Sequence, residues 1–256
     1  MVNKRSYKMI PRLSGFVLAT AVLLCSLSAT PVMGEEKPAL QALVVTTKDW
    51  SSVDATLRLY ERKDAKSAWI SVGETIPAVV GRTGLAWGRG IHPDPPAGGP
   101  QKREGDGKAP AGIFKLGLSF GYAPAEEVPW IGLPYRQMKE SSKCVDDSSS
   151  LFYNRLLEEG SVRRDWNSVE DMRRSDGQYR LGIVIEHNTN PVAPRGGSCI
   201  FFHIWVKPSK GTAGCTAVSA TDMEKTLRRL GPGENSILIQ LPQAEYERMR
   251  TPWGLP

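Results

Sequence analysis

Short apolar runs broken by turn residues set the pattern of the first half of the chain. Residues 42–47, 55–61, 67–72 and 76–80 are rich in β-branched and aromatic side chains. Runs of that length and spacing predict hairpins of an antiparallel sheet rather than strands alternating with helices. Between residues 81 and 110 the pattern dissolves into Gly84, Gly88, Gly90, Pro93, Pro95, Pro96, Gly98, Gly99 and Pro100. This composition predicts a long exposed loop, of the kind that serves as a lid or binding loop. Residues 141–180 are mixed, with short helices expected near 151–159 and 169–173. Two strands follow over 180–186 and 198–206. In the second, Ile200, Phe202, Ile204 and Val206 alternate with Cys199, Phe201, His203 and Trp205, so the two sets face opposite ways.

One helix is announced clearly. Ser219 and Asp222 form a capping-box pattern, Met223, Leu227 and Leu230 form an apolar stripe, and Gly231-Pro232 ends it. A last strand is expected over 236–241. The fold class is therefore mainly β, a sandwich or sheet domain with a few short helices.

The N-terminus changes the picture of charge and compartment. Lys4, Arg5, Lys8 and Arg12 precede an apolar stretch over 13–29, and Val32 and Gly34 stand at the −3 and −1 positions of a cut before Glu35. The stretch is short against the roughly 20 apolar residues of a membrane span, so residues 1–34 read as an export signal; an uncleaved anchor is the alternative. This segment holds four of the 33 basic residues and none of the 27 acidic ones, which leaves 29 against 27. A chain so nearly balanced gives no footprint for nucleic acid. Residues 35–256 can form one domain, periplasmic and free of the membrane once the signal is cut. Three cysteines remain in it, Cys144, Cys199 and Cys215, an odd count that suggests one pair and one reactive thiol.

The chemistry concentrates in Phe202-His203-Ile204-Trp205-Val206-Lys207-Pro208-Ser209-Lys210-Gly211-Thr212-Ala213-Gly214-Cys215-Thr216. A histidine near a strand end and a Gly-Cys turn before a helix can bring base, thiolate and oxyanion donors into one small volume. Gly214 would let the backbone turn, the nearby helix start would favour the thiolate of Cys215, and the N–H groups of Gly214 and Cys215 are the oxyanion candidates.

These residues resemble the L,D-transpeptidase catalytic domain family (the YkuD type), in which a His-bearing strand leads to a Ser/Thr-x-Gly-Cys motif. Thr212-Ala213-Gly214-Cys215 matches that motif, and His203 matches the upstream His. Lys108-Ala109-Pro110-Ala111-Gly112-Ile113-Phe114 is similar to the family's Thr-Pro-x-Gly-x-Phe stretch. The resemblance spans about residues 76–241. It implies an L,D-transpeptidase-like β domain and a cysteine acyltransferase without cofactor, acting on donor and acceptor stem peptides of peptidoglycan. Cys215 would be the nucleophile and His203 the base, oriented by a carbonyl near Gly211 or Thr212. Ala213 stands where many members have a second His, and Thr216, Ala217 and Val218 stand where many have Asn or Arg. These departures mark a divergent branch with its own donor preference. A hydrolase on the same scaffold (an L,D-carboxypeptidase or amidase) and a non-catalytic wall-binding protein are the alternatives.

Other residues are weaker candidates. Thr212, Arg103, Asp106, Lys108, His187 and Asn188 are candidates for the substrate-binding wall, against plain structural roles. Cys144 and Cys199 are the candidate disulfide, with two buried thiols as the alternative. Asp146-Asp147 and Trp166-Asn167 read as caps and packing that can reach the cleft wall, and His92 as a solvated loop residue. With three histidines and no Cys-x-x-Cys pair, nothing points to a metal.

Overall fold

The computed structural model describes Met1 and residues 37–95 and 98–256; the export segment read over residues 1–34 otherwise lies outside the described residues. Residues 37–256 form one compact unit. Its first elements are β1 (Gln41–Thr47), β2 (Asp54–Glu61), β3 (Ile70–Val79), β4 (Leu85–Trp87), β5 (Ala109–Gly121) and β6 (Tyr135–Gln137). Then come β7 (Ser142–Cys144), β8 (Leu156–Glu158), β9 (Glu170–Asp171), β10 (Leu181–Ile185), β11 (Phe201–Ile204) and β12 (Thr216–Val218). The chain finishes with α1 (Ala220–Arg229), β13 (Ile237–Pro242) and α2 (Gln243–Arg250). The fold is mainly β.

The large sheet runs β10-β11-β12-β3-β2-β1-β13-β5, and β5 pairs again with β10. The sheet thus closes on itself, which removes its free edges. Strand β2 shows the period-two logic directly, with Ala55, Leu57 and Leu59 buried and the residues between them exposed. The interior holds Leu43, Val45, Phe114, Ile183, Phe202 and Leu238. Met223, Leu227 and Leu230 of the α1 stripe pack into that same core, and the Ser219 hydroxyl caps the helix by accepting the Asp222 N–H at 3.0 Å.

Several expectations are corrected. The runs over 67–72 and 76–80 are one strand, β3. The break between them is a bulge at Gly73, whose φ of +74° suits glycine, and the pairing with β2 shifts register there. The stretch over 81–110 is not all exposed loop: it contains β4, fully buried and paired in parallel with the start of β5, while the irregular Gly/Pro segment after it is largely exposed. Trp87 lies in the core, and its indole N–H donates to the Gly98 carbonyl at 2.9 Å, so buried aromatic packing organises the Gly/Pro-rich segment. His92 is not solvated. Its Nδ1 accepts the Ile113 N–H at 3.1 Å and its ring lies 5.4 Å from that of Trp253.

The helices expected near 151–159 and 169–173 are absent. Turns held by Asp147 and Asp165 occupy that region, and β8 and β9 flank β7 in a small separate sheet. Side-chain-to-backbone bonds from Asp and Ser compete there with the helix ladder. The disulfide between Cys144 and Cys199 fastens the small sheet to the approach of β11. Among the described residues no helix is long and apolar enough to cross a membrane.

Candidate active site

Strand β11 and the two residues that lead into it serve two different cores. Ile200, Phe202 and Ile204 enter the main core, while Cys199 and Phe201 join a second apolar cluster with Cys144, Phe120, Tyr179 and Cys215. Strand β12 runs parallel to β11 with Phe202 opposite Thr216 and His203 opposite Ala217. Cys215, one residue before Thr216, therefore lies beside Phe201 and diagonal to His203 on the same face. Both side chains are buried, His203 at 3% and Cys215 at 6% exposure. They line one cavity of about 800 Å³ between the barrel wall and the small sheet.

The thiol is fixed by backbone groups. Phe201 donates its N–H to the Cys215 sulfur at 3.3 Å, and the thiol points at the Cys199 carbonyl at 3.5 Å. Burial pushes the thiol up to about 12, and the nearby Glu170 carboxylate adds to the rise. The expectation of a thiolate favoured by a helix start is thereby corrected: β12 separates Cys215 from α1, and the resting sulfur is a protonated thiol.

His203 is held by its own chain. Its Nδ1 lies 2.9 Å from the Ile204 carbonyl, which can only accept, so the ring proton sits on Nδ1 and Nε2 is the basic nitrogen. The orienting carbonyl is that of Ile204 and not one near Gly211 or Thr212. Burial pushes the imidazole down to about 4, so it is neutral at pH 7. The Tyr179 ring packs edge-on against it with centroids 5.1 Å apart.

The turn before Cys215 differs in detail from the expectation. Thr212 Oγ1 accepts the Gly214 N–H at 3.1 Å and donates to the Cys215 carbonyl at 2.7 Å. The Gly214 amide is therefore already engaged, and Thr212 braces the turn although it also lines the cavity. The Cys215 amide is the remaining oxyanion candidate. Space at Gly214 is tight: a Cβ there would stand 3.2 Å from the Lys108 carbonyl.

Most of the other expected wall residues serve elsewhere. Asp106 accepts from Lys102 Nζ at 2.6 Å and from the Arg103 N–H at 2.8 Å, and Lys108 Nζ donates to the Thr83 carbonyl at 2.5 Å. Arg103, Asp106 and Lys108 are not among the cavity-lining residues; Lys102 and Glu104 of the same turn are. His187 is a satisfied core histidine, with Nδ1 accepting from Arg89 N–H and Nε2 donating to the Gly196 carbonyl. Asn188 braces its own loop through the Ala193 and Gly197 carbonyls. Asp147 caps a turn and Trp166 packs in a small core, whereas Asp146 does reach the cavity.

What sequence reasoning missed is the far wall. Glu170, Arg174, Asp176 and Tyr179 line the cavity opposite Cys215. Tyr179 donates to Glu170 Oε1 at 2.6 Å, and Arg174 bridges Glu170 at 3.5 Å and Asp176 at 2.5 Å. Burial raises the Glu170 carboxyl to about 7, against the pull of Tyr179 and Arg174. Among the described residues no group of three or more His, Cys, Asp or Glu side chains is placed to hold a metal. Comparison with family models, curated proteins and solved structures finds no match for this chain.

Proposed function

We propose that this protein is a cell-envelope cysteine acyltransferase of the L,D-transpeptidase kind, acting on peptidoglycan stem peptides. The observation that carries the reading is the placement, on one cavity wall, of the one free thiol among the described residues and a histidine whose Nδ1 is tied to a carbonyl. The volume suits a peptide segment. Arg82 and Arg174 on the walls can meet carboxylates, while Glu170 and Asp176 can meet an amine, as a zwitterionic stem peptide requires.

Cys215 attacks the carbonyl of the L-configured residue, and its proton passes to His203 Nε2 as the S–C bond forms. With the thiol near 12 and the imidazole near 4, no resting ion pair exists. Proton transfer and attack are therefore concerted. The oxyanion falls to the Cys215 amide. The imidazolium returns its proton to the departing amine of the D-residue. An acceptor amine then attacks the thioester and gives its proton to His203, and the imidazolium passes a proton to the sulfur as the C–S bond breaks, restoring the thiol and the neutral imidazole.

The test is mass spectrometry of muropeptides incubated with the protein and with Cys215→Ala. Crosslinked dimers made only by the wild type support the proposal. Shortened monomers without dimers would assign a hydrolase, and no change in either sample would overturn both enzyme readings.

A further inference from the structure

We infer that Arg82 is the carboxylate-binding residue of the Cys215 cavity and takes the free C-terminal carboxylate of the ligand, one residue past the attacked carbonyl. The inference deepens the proposed function and rests on it. Arg82 reaches the cavity wall from a segment locked to the cysteine turn. Gly81 bridges to Thr212 in parallel, the Arg82 N–H donates to the Thr212 carbonyl at 2.8 Å, and the Thr212 N–H donates to the Val80 carbonyl at 3.0 Å. Thr212 in turn braces the Gly214 N–H and the Cys215 carbonyl. The approach is close, since a Cβ on Gly211 would stand 2.5 Å from the Arg82 Cα. On the other side the arginine arm lies against Gly107, where a Cβ would meet Arg82 Cζ at 3.1 Å and Nε at 3.2 Å. Arg82 is thus placed by backbone on two sides, and it lines the same cavity as Cys215.

What singles Arg82 out is that its charge is unanswered. The cavity wall also carries Lys102, Arg173 and Arg174, and each of these has an acidic partner. Lys102 lies 2.6 Å from Asp106, Arg173 3.1 Å from Glu140, and Arg174 2.5 Å from Asp176 and 3.5 Å from Glu170. Among the described residues no carboxylate or carbonyl is bonded to the Arg82 guanidinium. Glu104, from the same turn as Lys102, is engaged by Ser198 Oγ at 2.7 Å and by the Tyr153 hydroxyl. The other acids of the wall, Asp146, Glu170, Asp171 and Asp176, belong to the small sheet and the loops that join it. The cavity is therefore polarised, with a free guanidinium beside the cysteine turn and carboxylates on the far wall. A peptide that carries both charges fits one way round, its amine towards the small sheet and its chain-end carboxylate on Arg82. A planar guanidinium takes a carboxylate through two parallel hydrogen bonds, and a peptide bond offers no such partner. Arg82 thereby selects a ligand that ends one residue past the scissile bond over one that continues.

The experiment compares two thiol reagents that differ only at the chain end, bromoacetyl-D-alanine and bromoacetyl-D-alaninamide, with iodoacetamide as the gauge of intrinsic thiol reactivity. In each the Cys215 sulfur displaces a halide, so none needs peptidoglycan or turnover. The acid-to-amide rate ratio, referred to that of N-acetylcysteine, is expected to be about tenfold higher in the wild type, the effect of one charge-assisted contact on an exposed arginine. Arg82→Gln abolishes that preference and leaves the iodoacetamide rate unchanged, a separation that a damaged fold would not give. Arg82→Lys restores part of it, because a single ammonium replaces the fork. Arg173→Gln, which removes a cation already paired, keeps the preference in full. Equal referred rates for acid and amide in the wild type overturn the subsite, as does a preference that survives Arg82→Gln or falls equally in Arg173→Gln. A Cys215 that none of the reagents reaches overturns it too, because the cavity would then not open on the sulfur. A failed muropeptide assay beside a clear acid preference would sink the substrate reading and leave the subsite standing. Crosslinked dimers beside equal rates would do the reverse.

Discussion

Cys144 is the register partner of Glu170 across the β7–β9 pair, and its sulfur is bonded to Cys199, whose carbonyl faces the Cys215 thiol at 3.5 Å. One covalent link thus ties the carboxylate on the far wall to the backbone that seats the nucleophile. The small sheet has only a small core of its own around Val145, Leu157 and Trp166, so this link is a direct tether between the two sides of the cavity.

Replacing Cys144 and Cys199 together by alanine is therefore expected to destabilise the protein. The disulfide spans 55 residues, and loop-closure entropy for that separation corresponds to roughly 4 kcal/mol of stability. Urea denaturation would show the loss as a lower midpoint. A double variant with the wild-type midpoint would show that packing alone holds the small sheet.

Thr212 offers a sharper cut at the turn. Its hydroxyl satisfies the Gly214 N–H and the Cys215 carbonyl at once. Thr212→Val keeps the shape and strands both groups, at a cost of about 1–3 kcal/mol. Thr212→Ser keeps both bonds and should melt close to the wild type. Equal melting of the two variants would remove the brace from the account.

The contrast with the sequence reading is physical. The alternation along β11 was legible because its two faces meet two different cores, and period two survives in any half-buried strand. Helix α1 was legible because its cap, stripe and stop are all local. Strand β5 was not, although it is the longest in the barrel: it opens on Ala109-Pro110, and its value comes from partners far along the chain, β4, β10 and β13. Helix α2 shows only Tyr246 and Met249 as an apolar pair, too little periodicity to announce it. Cys215 and His203 stood out because the motif is contiguous. Glu170 and Tyr179 did not, because nothing in a stretch of Asp, Arg and Ser indicates which acid will be buried. The bonds of His187 and Asn188 were equally invisible, since their partners are carbonyls of a loop folded over them.

Acid stability follows from the two buried histidines. His187 and His203 are each pushed down to about 4 by burial, so the unfolded chain binds their protons first as pH falls. Folded-state stability is intact above about 6.5 and is lost between there and 4, by about 3 kcal/mol at most for each. Glu170 acts oppositely: raised to about 7, it binds its proton earlier in the folded state and favours folding as pH falls from 7 towards 4.5. One histidine is thus offset in part and the other is not. Urea midpoints at pH 7 and pH 4.5 should differ clearly in the wild type and less in His187→Gln. A wild-type midpoint independent of pH over this range would contradict the burial of both rings.

Gly214→Ala tests why the motif needs glycine before the cysteine. The added Cβ would stand 3.2 Å from the Lys108 carbonyl and 3.6 Å from Ile200 Cδ1. The first contact is backbone, anchored by the Lys108 N–H bond to Asp106 at 2.9 Å, and cannot swing aside as a side chain would. The turn must move instead, by a few tenths of an ångström, and carries the Cys215 sulfur and amide with it. Overpacking of this kind costs about 1–3 kcal/mol. Small displacements of a nucleophile also cost rate, so crosslinking turnover should fall by at least about tenfold while the alkylation rate changes less, since iodoacetamide needs no oxyanion donor. If turnover and alkylation fall together, the damage lies at the sulfur itself. If neither falls, the Lys108 segment yields and glycine is not needed there for space.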